Sequence, residues 1–67
     1  MKELAKKLRE YGVSMSIEYG TITFAKDGFA RMYAIDEYVI EKSTAEEIQD
    51  MLINLLDKFM NYYRERF

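Results

Sequence analysis

Hydrophobic and polar positions change period twice along this chain, from helical to alternating and back to helical, and each change marks a new kind of element. Leu4, Ala5, Leu8 and Tyr11 share one face at helical spacing while Lys2, Lys6, Lys7 and Arg9 point elsewhere, which predicts a short helix over residues 2–11. Gly12 follows the last periodic residue, where a left-handed conformation closes a helix, and the basic residues before it suit the negative end of the dipole. From Val13 the period becomes two. Val13, Met15, Ile17 and Tyr19 alternate with Ser14, Ser16 and Glu18, the pattern of a strand with one buried face.

Two turns then fix the pairing. Asp27-Gly28 is the strongest hairpin signal, because both central residues of a type I′ turn need positive φ; it sets Lys26 against Phe29, Phe24 against Arg31 and Ile22 against Tyr33. Gly20-Thr21 as the first loop pairs Tyr19 with Ile22 and Ile17 with Phe24. Both turns place Val13, Met15, Ile17, Tyr19, Ile22, Phe24, Tyr33 and Ile35 on one face, leaving Ser14, Ser16, Glu18, Thr23, Ala25, Ala30, Met32 and Ala34 on the other. Residues 29–42 are too long for one ordinary strand, so Asp36-Glu37 is read as a bend and Tyr38-Val39-Ile40 as a continuation or short fourth strand.

Ser43-Thr44-Ala45-Glu46 reads as a capping box opening a long helix. Ile48, Leu52, Leu55, Phe59 and Tyr62 form its central stripe, widened by Met51, Leu56, Met60 and Tyr63, with Glu47, Asp50, Asn54, Asp57 and Asn61 opposite. The expected fold is a single α+β domain over residues 1–67: an N-terminal helix, a three-stranded antiparallel meander (four with Tyr38–Ile40), and a long C-terminal helix packed on one sheet face. The widened stripe exceeds what a three-stranded sheet needs, so Met51, Leu56, Met60 and Tyr63 are candidates for a homodimer interface.

Composition narrows the chemistry. The 67 residues contain no His, Cys, Trp or Pro, which removes imidazole bases, Ser-His and Cys-His pairs and thiolate zinc sites. A chain this short buries only about 60% of its unfolded surface, leaving little structure to wall off a dry active site. The expectation is therefore a non-enzymatic protein with no cofactor. Carboxylate pairs such as Glu46 and Asp50 share a helical face, but no EF-hand spacing accompanies them, and no metal site is assigned. No run reaches the roughly 20 apolar residues of a membrane span, and the charged start Met1–Glu10 lacks a signal-peptide centre, which predicts a soluble cytoplasmic protein.

Charge placement is more informative than net charge. Between Asp36 and Asp57 lie seven acids against one base, Lys42, a balance of −6 in a chain of net −2, so the remainder carries +4. Acids in the first turn of a helix favour its dipole. Gathered at a strand-to-helix junction, Asp36, Glu37, Glu41, Glu46, Glu47 and Asp50 also make a candidate surface for a basic protein partner. Direct nucleic-acid binding would need Lys2, Lys6, Lys7 and Arg9 to lie with Arg64 and Arg66, and the acidic balance argues against it.

The order helix, strand, strand, Asp-Gly turn, strand, acidic helix start, together with Glu37-Tyr38-Val39-Ile40, resembles the small phage-encoded type II-A anti-CRISPR proteins. That resemblance implies a phage or mobile-element inhibitor of Cas9 acting in the host cytoplasm as a DNA mimic, with carboxylates seated where the nuclease reads its PAM through arginines. The chain differs from that group in lacking a strongly acidic overall balance and an acidic tail. Two functions follow as expectations: an inhibitor of a host nucleic-acid-handling protein through the acidic surface, or a structural or regulatory homodimer through the C-terminal helix.

Overall fold

The structure, a computed structural model, describes residues 2–67. Its elements are α1 (Lys2–Tyr11), β1 (Ser14–Glu18), β2 (Thr21–Lys26), β3 (Phe29–Ala34), α2 (Glu37–Lys42) and α3 (Ala45–Arg66). The strands form one antiparallel sheet in the order β1-β2-β3. The expected α+β architecture is present: α1 lies against α3, and α3 against β3. The 22 residues of α3 span about 33 Å at 1.5 Å per residue, which sets the longest dimension of 36 Å.

α1 ends where the sequence predicts. Gly12 N–H bonds Arg9 O at 3.2 Å and Val13 N–H bonds Leu8 O at 3.0 Å, the paired contacts of a Schellman motif, with Val13 and Leu8 both at the core. Gly12 has φ +67°, and a Cβ there would stand 3.1 Å from Lys26 Nζ, which donates to Tyr11 O. The ammonium thus binds the negative end of α1.

The Asp27-Gly28 hairpin has the predicted register. The first hairpin does not. Glu18 pairs with Thr21 and Ile17 with Ile22, so its loop is Tyr19-Gly20, one residue earlier than Gly20-Thr21. Both loop residues have positive φ (49° and 70°), a conformation that β-branched Thr21 resists most. Moving the loop by one residue moves each partner by two, so the inward and outward sets of β1 and β2 are preserved. Tyr19 alone leaves the face assigned to it.

Tyr38-Val39-Ile40 is not a fourth strand but the body of α2. Asp36 is its N-cap, accepting Tyr38 N–H at 2.9 Å, and Glu37 and Lys42 sit at the dipole ends that suit their charges. The cap and the dipole outweigh the strand propensity of Val and Ile. The capping box of α3 is likewise one residue later than Ser43/Glu46. Thr44 Oγ1 accepts Glu47 N–H at 3.1 Å while Glu47 Oε1 accepts Thr44 N–H at 2.9 Å. Ser43 instead closes α2, donating to Val39 O at 2.6 Å.

The core is built from Leu4, Val13, Ile22, Phe24, Leu52, Leu56, Phe59 and Met60. Phe59 lies between Phe24 and Phe29, with ring centres 5.7 and 5.5 Å away. The seam of α3 therefore runs through Leu52, Leu56, Phe59, Met60 and Tyr63, rotated from the predicted one, and Tyr62 is outside. Arg31, on the inner face of β3, stacks its guanidinium 3.8 Å from the centre of the Tyr62 ring. Arg31 Nε and Tyr33 Oη are buried without a hydrogen-bond partner among the described residues.

Candidate functional site

The acidic residues singled out from the sequence lie on α2, its cap and the first turns of α3. Asp36, Glu37, Glu41, Glu46, Glu47 and Asp50 are all exposed, and none is in an ion pair within 4.0 Å among the described residues. Asp57, the remaining acid of the segment, differs: it stands 3.9 Å from Lys7. Two of the six also serve the backbone. Asp36 caps α2, and Glu47 completes the box with Thr44, whose backbone N–H first and hydroxyl second hold the Glu47 carboxyl below the usual glutamate range. The carboxylates are spread along two helices, and no group of three or more metal-ligating side chains among the described residues is placed to hold a metal ion. No pocket is formed by these residues.

The Tyr19-Gly20 turn abuts this segment. Ile35 N–H donates to Gly20 O at 2.8 Å, and a Cβ at Gly20 would stand 3.2 Å from Ile35 O and 3.6 Å from Glu37 Oε1. Tyr19 is 96% exposed in a left-handed conformation that costs a non-glycine residue about 1–2 kcal/mol. Tyr38 and Val39, on α2 between the acids, are 63% and 41% exposed. The junction therefore combines unpaired carboxylates with two exposed phenol rings and an aliphatic side chain. Tyr19 was missed in the sequence because strict alternation put it on the buried face, and Tyr38 and Val39 because they were read as strand. The signal available was Tyr-Gly, whose glycine permits positive φ at the second loop position.

The other candidates are placed differently. Leu56 and Met60 are buried in the chain's own core, and Met51 and Tyr63 are half-buried, Tyr63 packing on that core. Leu56, Met60 and Tyr63 of the widened α3 stripe are thus taken up by this chain's own core. The basic residues run along α1 and occupy the last turn of α3. Leu4 N–H donates to Gln49 Oε1 near the start of α3, whereas Arg66 lies over Phe29 at its far end, about 25 Å further along the helix axis. The start of α1 is therefore remote from Arg66, whereas its end at Tyr11 accepts from Lys26, whose ammonium also lies 5.2 Å from the centre of the Tyr63 ring.

No protein-family model matches the chain, and neither a curated protein nor a solved structure is similar to it.

Proposed function

We propose that this protein is a non-enzymatic binding module that docks the α2–α3 junction onto a basic surface of a partner protein and blocks that surface. One observation carries the reading: six exposed carboxylates, none of them ion-paired among the described residues, lie on α2, its cap and the first turns of α3 together with exposed Tyr38 and Val39, and Glu37 adjoins the Tyr19-Gly20 turn. Charges left without partners in the free protein are available to steer and orient an oppositely charged partner. Tyr is among the residue types that dominate binding energy at interfaces, and an aromatic centre within a charged rim is the usual anatomy of such a site.

A basic partner surface ringed by carboxylates is the chemistry of a protein that handles nucleic acid, with Asp and Glu standing where phosphates or base edges would lie. Inhibition follows from occupancy, because the same surface cannot hold both ligands. A phage or mobile-element origin and a Cas9-type target belong to this proposal through the likeness of Glu37-Tyr38-Val39-Ile40 and the element order to anti-CRISPR inhibitors. The test is affinity capture from a host extract with wild type and with a Glu46→Lys, Asp50→Lys double variant, which leaves both helix caps intact. Partner capture that falls with salt and is lost in the double variant supports the proposal; equal capture by the variant overturns it.

A further inference from the structure

We infer that the free edge of β1 is a self-association site, at which two copies of this chain pair antiparallel about Ser16 and join their sheets into one of six strands. The argument starts from the turn. A two-residue loop makes Glu18 and Thr21 a hydrogen-bonded pair, and alternation along the ladder makes Ser16–Thr23 and Ser14–Ala25 the next two. The N–H and C=O groups of Met15 and Ile17 therefore point away from β2, to an edge with no neighbouring strand among the described residues. Val13 has the same orientation, but its N–H is taken by Leu8 O.

These groups select one register. Centring two antiparallel copies on Ser16 sets Met15 against Ile17 of the second copy twice, closing four main-chain hydrogen bonds with the free groups of that edge. Each Ile17, 50% exposed in the single chain, then gains the Met15 of the other copy as its cross-strand neighbour on the inner face. Charge agrees with hydrogen bonding: Glu18 falls opposite uncharged Ser14. Centring on Glu18 would place two carboxylates face to face, and centring on Ile17 would require Tyr19, which the turn bends away, to continue the ladder.

The opposite edge is protected in a way β1 is not. Along β3, Arg31 points to the inner face and Arg66 lies over Phe29, so a second copy there would bring guanidinium groups together. Inward charges of this kind are a recurrent defence of edge strands. β1 carries no base and no proline, and its only charge is Glu18.

Ser16 supplies the test, because it lies on the exposed outer face and its Cα meets its own copy at about 4.5 Å across a non-hydrogen-bonded pair. Sedimentation equilibrium of the wild type across a concentration series should reach twice the mass of the 8.0 kDa chain. Ser16→Lys alone and Ser16→Glu alone should each weaken association at least tenfold, and an equimolar mixture of the two should restore it. Because the chain has no cysteine, Ser16→Cys should oxidise to a covalent dimer while Ser14→Cys should not, its copies lying about 13 Å apart. A wild type that stays monomeric throughout, a dimer indifferent to both charged variants, or cross-linking of Ser14→Cys as readily as Ser16→Cys would each overturn the assignment.

Discussion

Tyr63 donates its hydroxyl hydrogen to Asp27 across 2.6 Å, tying the last turns of α3 to the β2–β3 hairpin 36 residues earlier in the chain. The hydrogen bond first, then burial and the Asp27 charge, raise the Tyr63 pKa above the ordinary tyrosine value. A group whose folded pKa is raised contributes stability that is complete below its unfolded pKa and lost as pH rises through the folded one. Thermal midpoints measured through the alkaline range should therefore fall more steeply for wild type than for Tyr63→Phe. Parallel curves would mean that the hydrogen bond makes no contribution.

The position of the α3 cap gives a second prediction. Thr44→Ala removes an N-cap and should cost about 1 kcal/mol, or roughly 4–8 °C in a domain of this size. Ser43→Ala, which removes a bond to the end of α2 only, should cost less. The Glu47 carboxyl is held below its ordinary range, so its contribution is present above the unfolded pKa and lost as pH falls through the folded one. The gap between wild type and Thr44→Ala should accordingly narrow in acid. Equal effects of the two alanine variants would return the cap to Ser43.

Tyr19 separates stability from binding. Asn tolerates the left-handed conformation that Tyr occupies here, and Asn-Gly is the preferred type I′ pair, so Tyr19→Asn should stabilise the fold by about 1 kcal/mol. The same change deletes an exposed ring beside the acidic segment and should weaken capture of the partner. A variant that is both more stable and unimpaired in binding would remove Tyr19 from the site.

Tyr33 Oη is buried with no hydrogen-bond partner among the described residues, and a buried hydroxyl without a hydrogen bond is destabilising. Tyr33→Phe should be neutral or stabilising by up to about 1 kcal/mol in thermal denaturation. Phe24→Ala, by contrast, opens a cavity between the sheet and Phe59 and should cost about 3–5 kcal/mol, comparable to the whole stability of so small a domain. Circular dichroism should find that variant largely unfolded.

Periodicity alone locates α1, the three strands and α3, because Leu4, Ile22, Phe24, Leu52 and Phe59 stand at helical or alternating spacings and meet in one core. Failures occurred where local hydrogen bonding decides between neighbouring residues. Ser43 and Thr44 each have a Glu three positions on, and only the geometry after α2 distinguishes them. Tyr38-Val39-Ile40 has strand propensity, yet the Asp36 cap turns it helical. The acidic half of the site was legible as charge density from Asp36 to Asp50. Its aromatic half was hidden, since the exposure of Tyr19 and Tyr38 depends on a one-residue shift of a turn and on a short helix that buries none of its residues.

The most direct test of the proposed binding role is to titrate the partner captured from the host extract against wild type and the Glu46→Lys, Asp50→Lys variant at several salt concentrations. The proposal predicts wild-type affinity that declines steadily with salt and at least a tenfold loss at low salt in the folded double variant. Affinity that is independent of salt and equal in the two proteins would contradict it.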